Sequence, residues 1–177
     1  FGTDAVGRDL FSRVVYGARQ SLLGAVIAVA VGLVLGTLIG LIAGTQRGWV
    51  DTVLMRLVDV LLAIPGILLS LSIIIVTGFG SLQAAFAVGM TSVATFARLA
   101  RSQVIQIANA DFVEAAYGSG ATQAQVLFRH VLPNSLTPVL ALAALQFGTA
   151  ILQLSILGFL GYGAPPPTPE WGCLLYT

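Results

Sequence analysis

The sequence predicts an all-α, polytopic transmembrane helical bundle, and three observations carry that expectation. Charged residues are 8% of the 177 and apolar residues 57%, with mean hydropathy +0.96, whereas a soluble domain carries roughly 25% charged residues. Three stretches have no formal charge: 27 residues between Arg19 and Arg47, 38 between Asp59 and Arg98, and 39 from Val131 to Pro169. Gly24, Ala28, Gly32, Gly36, Gly40 and Gly44 place a small residue at every fourth position of the first stretch, the pattern that lets helix backbones approach closely in lipid.

The elements follow in chain order. Near the start, Leu10, Phe11, Val14, Val15 and Ala18 share one helical face while Asp9, Ser12, Arg13 and Gln20 share the other, which predicts a helix lying in the membrane interface. About 20 helical residues cross a hydrocarbon core of roughly 30 Å, so residues 21–44 are expected to form the first span. The second uncharged stretch is too long for one crossing, and Gly78-Phe79-Gly80-Ser81 supplies a turn. It divides into spans at about 57–77 and 82–100, the former kinked at Pro65. A fourth span is expected at about 135–160, ending at Gly161-Tyr162-Gly163 and the run Pro165-Pro166-Pro167.

The segments 45–56 and 98–134 share one side and carry five arginines, against three on the other; the positive-inside bias places 98–134 in the cytoplasm. Within it Asn109-Ala110-Asp111 breaks the third helix. Asp111 with Glu114 reads as an N-cap and capping box opening a short helix to about Tyr117, and Thr122 with Gln125 repeats the box for a second short helix running to Pro133. The chain opens at Phe1 and closes just after an apolar stretch begins, so it is expected to be one membrane domain, 1–177, incomplete at both ends.

Composition also excludes function classes. All eight basic residues are Arg and the net charge is +1, which leaves no basic patch for nucleic acid. Without any Lys there is no Walker A loop to hold nucleotide phosphate. No ionisable residue lies mid-span, so the proton or ion relay of a secondary transporter is missing. A lone Cys173 and a lone His130 cannot complete a Cys/His metal cage or an internal disulfide. Gly118-Ser119-Gly120 is similar to a serine-protease motif, but it lies outside the spans, with no histidine on another helix to activate it. Neutral polar residues remain at depth: Gln146, Thr149 and Gln153 at helical spacing in the fourth span, and Thr91, Ser92 and Thr95 in the third. They either line an aqueous route or hydrogen-bond neighbouring helices.

Glu114-Ala115-Ala116, three residues, Gly120, then Leu132-Pro133 resemble the EAA loop of ATP-binding cassette (ABC) importer permeases. Phe128-Arg129-His130-Val131-Leu132-Pro133-Asn134, the opening Gly2-Thr3-Asp4 through Ser21-Leu22, and Glu170-Trp171-Gly172 are similar to the dipeptide, oligopeptide and nickel branch. His130 departs from the general pattern, which has an apolar residue there. The resemblance covers essentially the whole chain. It implies that residues 111–133 form the coupling loop, with Asp111, Glu114, Ala115, Ala116, Gly120, Leu132 and Pro133 as its site residues and the short helix docking on a separate nucleotide-binding subunit. It further implies six spans in the complete permease, of which these would be the second to fifth, in a bacterial-type inner membrane. The implied partners are a homologous second permease subunit, two ATPase subunits holding ATP and magnesium, and an extracytoplasmic substrate-binding protein. No cofactor or catalytic site is then expected in this chain. The implied cargo is a short peptide, with nickel or another small solute, or a passive channel or structural role, as alternatives.

Overall fold

The computed structural model describes residues 2–4, 7–165 and 167–174. Phe1, Ala5, Val6, Pro166 and residues 175–177 lie outside the described residues, and with them the middle proline of the expected Pro165–Pro167 run and both chain ends. Helices run Leu10–Thr45 (α1), Trp49–Ala63 (α2), Gly66–Thr77 (α3), Ser81–Ala108 (α4), Asp111–Gly118 (α5), Gln123–Val126 (α6), Leu132–Phe159 (α7) and Trp171–Leu174 (α8), with a π-helical turn, Leu127–Val131, joining α6 to α7. Among the described residues β structure is limited to one isolated bridge, Thr3 to Asp9. α1, α4 and the continuous Gln123–Phe159 rod are each long and apolar enough to cross a membrane, and α2 with α3 counts as a fourth span if the bent pair crosses together.

α1 corrects the expectation of a separate interfacial helix. It is one rod of 36 residues, about 54 Å long. Asp9 caps its first turn by accepting from the Ser12 amide at 2.9 Å and from the Ser12 hydroxyl, which holds the Asp9 carboxyl below the usual carboxylate range. Nothing between Arg19 and Ser21 interrupts the backbone ladder, so the amphipathic start and the span fuse. The helix ends where the Thr45 hydroxyl bonds the Leu41 carbonyl and Gly48 takes φ +93°.

α4 is the hub, packed most extensively against α1 and also against α2, α3 and α7. The ridge on α1 makes this possible. A Cβ on Gly32 would lie 2.8 Å from the Ser92 Cβ, one on Gly36 2.5 Å from the Phe96 Cβ, one on Gly40 2.6 Å from the Ala100 Cβ, and one on Gly44 2.8 Å from the Val104 Cβ. The fit is reciprocal, because Gly89 of α4 would meet the Ala28 carbonyl oxygen at 2.7 Å. A four-residue step advances about 40° around a straight helix, so the six positions cannot all face one neighbour: Gly24 turns instead to Leu154 of α7 at 3.1 Å.

The second expected span is broken rather than kinked, and it begins at Trp49 rather than 57. α2 and α3 meet at 97°. Ile64 is extended, φ −93° and ψ 127°, and Pro65 stands at the N-cap of α3 instead of inside a helix. The proline ring excludes the helical conformation for the residue before it. α2 is fastened to α4 by two ion pairs: Asp51 takes two hydrogen bonds from Arg101, at 2.5 and 2.6 Å, and Asp59 takes one from Arg98 at 2.7 Å. α4 runs past both arginines and the expected span end at about 100 to Ala108, and its C-cap is Asn109, where the Asn109-Ala110-Asp111 break is expected.

Beyond α7 the chain folds back. The Glu170 carboxylate is buried and accepts from the Ala164 amide at 2.8 Å, and Gly172 packs so closely on α7 that a Cβ would stand 3.0 Å from the Ser155 Cα. Trp171 donates its amide to the Ser21 hydroxyl and its indole N–H to the Val14 carbonyl, at 3.2 and 3.1 Å, fixing this strap to α1.

Candidate functional site

The first candidate region is built from α5, α6 and the π turn. Val113 points inward and packs with Val104, Val126 and Val131, supported by Leu41, Ile107 and Ala116. That one buried stripe leaves Asp111, Phe112, Glu114, Ala115 and Ser119 on the exposed side of α5. The expected capping box at Asp111 is corrected: Ala110 occupies the N-cap without a side-chain bond, and Asp111 is the first helical residue. Asp111 and Glu114 both sit in the first turn, where carboxylates favour the positive helix end. Gly120 takes φ +88° and its amide bonds the Tyr117 carbonyl at 2.9 Å, while the Ala121 amide reaches the Ala116 carbonyl at 3.1 Å. This left-handed residue makes the reversal that presents α5.

The Thr122 and Gln125 box forms as expected, with the Thr122 amide donating to the Gln125 side-chain oxygen at 2.9 Å and the Gln125 amide to the Thr122 hydroxyl at 3.4 Å. The second short helix, however, does not stop at Pro133. The Leu132 amide bonds the Leu127 carbonyl, five residues back, and this widened turn admits a proline that would otherwise strike the carbonyl four residues before it. Leu132 and Pro133 open α7; they shape the turn behind α5 and do not join its exposed face. The His130 ring lies 6.4 Å, centroid to centroid, from Phe112, so this departure from the general pattern ties the π turn to α5.

The second region is a cleft of about 260 Å³ at the break between α2 and α3. Gln146 and Gln153 of α7 face Thr91, Ser92 and Thr95 of α4 across it, with Pro65 on the third side. Thr149 is the exception among the expected pathway residues: it is exposed outside the cleft, where its hydroxyl donates to the Gln146 side-chain oxygen at 2.6 Å. It holds Gln146 and does not line the space. Thr91 and Ser92 bond the Val88 carbonyl within their own helix, at 2.7 and 3.4 Å. Sequence reasoning missed Leu61, Pro65 and Leu69 as cleft walls and the pairing of Asp51 and Asp59 with Arg101 and Arg98. A signal for the pairs was present, two acids and two arginines at the edges of adjacent uncharged stretches.

Residues 36–175 match the family described as "Binding-protein-dependent transport system inner membrane component". The chain belongs to that family. The chain is similar to the dipeptide transport system permease protein DppC of Alkalihalophilus pseudofirmus, at 46% identity over 99% of this chain and 58% of that protein. It is equally similar, at 46% over the same shares, to the glutathione transport system permease protein GsiD of Shigella flexneri. The chain thus spans about 58% of the length of these relatives. In fold the chain is like an inward-facing MetNI methionine ABC transporter, with TM-score 0.75 and 20% identity over 86% of this chain and 76% of that one. An amino acid ABC transporter solved with histidines gives 0.70 and 20% over 93% and 79%. The polytopic helical architecture is therefore the permease fold.

Proposed function

We propose that this chain is the membrane part of an ABC importer permease subunit, forming half of a pathway for short peptides and drawing energy from separate nucleotide-binding subunits. The observation that carries this reading is the construction of α5. Its inner face is anchored through Val113 to the ends of α1 and α4, while Glu114 and Ala115 stand exposed. A short helix with small residues outward, seated on the ends of two spans, suits a docking element that passes a partner's movement to those spans. Similarity to dipeptide and glutathione permeases supports peptide as cargo. The cleft suits it too: its polar wall is neutral amides and hydroxyls, which accept peptide groups without selecting for side-chain charge. The homologous second permease subunit, two ATPase subunits with their ATP and magnesium, the extracytoplasmic binding protein and an inner-membrane location belong to the same proposal. Energy would enter through residues 111–133, and this chain would carry no ATPase site of its own.

Ala115→Arg in the full-length permease tests the proposal. A large cation on the docking face should abolish co-purification of the nucleotide-binding subunits and substrate-stimulated ATP hydrolysis in reconstituted vesicles. Wrongly paired charge in such a contact costs several kcal/mol, and about 2.7 kcal/mol already weakens binding a hundredfold. Membrane insertion should be unchanged, because Ala115 makes no contact with the bundle core. Normal co-purification and ATP hydrolysis in this variant would remove α5 as the docking element.

A further inference from the structure

We propose that the N-terminal flank of α1 holds the headgroup of an anionic phospholipid from the leaflet on that side. An open cavity of about 490 Å³ lies there, walled on one side by Arg13, Tyr16, Arg19 and Leu23 of α1 and on the other by Thr168 and Pro169. Its polarity is graded with depth. Arg19 is the last charge before 27 uncharged residues, which places it at the hydrocarbon boundary, and Leu23 lies one helical turn, about 6 Å, further in. Arginine and tyrosine above an aliphatic floor fit an amphiphile, with phosphate against the guanidinium and an acyl chain along Leu23.

The walls are built, not left to mobile side chains. Arg13 is ion-paired with Asp4, whose carboxylate also accepts from the Arg8 amide at 2.8 Å and from the Arg8 side chain. The Asp4 side chain is 1% exposed and that of Arg13 11%, so Arg13 stays fixed as part of the wall. The opposite wall is held by Trp171, two residues beyond Pro169, through its bonds to Val14 and Ser21. Arg19, by contrast, makes no ion pair or hydrogen bond among the described residues. It supplies the uncompensated charge that a zwitterionic ligand would satisfy less well than an anionic one. Tyr16, 73% exposed, lies between the two arginines on the same helical face, where its ring covers a chain and its hydroxyl reaches a headgroup.

The test is native mass spectrometry of the full-length permease titrated with phosphatidylglycerol, phosphatidylcholine or soluble glycerol phosphate. We expect a retained phosphatidylglycerol adduct, at least tenfold weaker in Arg19→Gln and partly restored in Arg19→Lys. Arg56→Gln, which removes an exposed arginine on α2, should leave it unchanged. Equal retention by wild type and Arg19→Gln would overturn the proposal, as would equal retention of phosphatidylcholine. Displacement of the lipid by millimolar glycerol phosphate would overturn the acyl-chain part, showing a headgroup-only anion site. An empty site in the full-length protein, covered by another segment of the chain, would overturn it as well. Arg19 supports no other side chain, so a folding defect does not confuse the result.

Discussion

Replacing Gly36 with alanine should destabilise the bundle by about 1–3 kcal/mol, and the reason lies in the α1–α4 contact. The added Cβ would stand 2.5 Å from both the Phe96 Cβ and the Val93 carbonyl oxygen, and 3.0 Å from the Ala97 amide nitrogen. Two of these neighbours are backbone atoms, so neither side can yield by a rotamer change. Restoring ordinary contact at 3.4 Å or more requires the helices to part by about 0.9 Å. A gap of 0.5–1 Å forfeits a quarter to a half of a dispersion well of about 0.1–0.2 kcal/mol per atom pair. Summed over the atom pairs of a four-turn glycine seam, the loss falls in the usual range for overpacking, about 1–3 kcal/mol. Gly36→Leu should exceed it and lower assembly. Two substitutions calibrate the measurement. Gly24→Ala meets only the flexible tip of Leu154 at 3.1 Å, and Gly148→Ala meets nothing within 4 Å, so the first should be nearly neutral and the second neutral or stabilising. The assay is apparent melting temperature in detergent by fluorescence-detected size exclusion. If Gly36→Ala melts with wild type and with Gly148→Ala, close backbone packing along this seam is not what holds α1 to α4.

Gly120→Val should impair coupling through conformation alone, because no atom lies within 4 Å of its Cβ position while φ is +88°; about 1–2 kcal/mol of left-handed strain should appear as reduced ATPase co-purification, with Gly120→Asn closer to wild type. Cysteines at 146 and 153, in a background with Cys173 replaced, should react with small water-soluble thiol reagents faster than one at the outward-facing Leu152. Equal rates would remove both glutamines from the cleft wall. Asp51→Asn should weaken the hold of Arg101 on α2 by roughly 1.5–3 kcal/mol, seen as faster amide exchange in Trp49–Ala63 and not in α4. The Asp9 cap is complete above the ordinary carboxylate pKa, because Ser12 lowers the folded value, and is lost as pH falls through that lowered value; amide exchange of Ser12 and Arg13 should rise there in wild type and be insensitive to pH in Asp9→Asn beyond the intrinsic rate.

The sequence exposed the spans because lipid imposes a length and an absence of charge that can be counted along the chain. The glycine seam was legible for the same reason, since helical spacing alone puts Gly32, Gly36, Gly40 and Gly44 on neighbouring turns. What spacing does not encode is the partner, which is why Gly24 and Leu154 were not seen to meet. Helix continuity was the weak point in both directions. α1 runs through Arg19 because a charge at the boundary does not interrupt backbone bonding, and the rod from Gln123 to Phe159 survives Pro133 by widening into a π turn. Pro65 does break its helix, and the different outcome comes from Ile64, which the ring forces into an extended conformation with no wide turn to absorb it. In the candidate site, Gln146 and Gln153 were placed by their seven-residue spacing, whereas Thr149 shares the stripe in projection yet lies outside the cleft.

These contacts bear on how the proposed coupling would work. α1 and α4 meet backbone to backbone along four turns, so they move as one body; the cluster of Val104, Val113, Val126 and Val131 joins α5 to the end of that body without a flexible linker. Under the proposed coupling, a displacement of α5 would reach α1 and α4 through that cluster. α2 and α3 pack on the same body through buried side chains, Val58 of α2 against Ala94 and Ala97 and Ile74 of α3 against Ala84 and Val88, with two ion pairs added at α2 and a 97° bend between the two helices. The cleft holding Gln146 and Gln153 lies beside that bend, where the α2–α3 backbone ladder is interrupted, so under the proposed coupling motion entering at α5 would reshape the cleft most readily there.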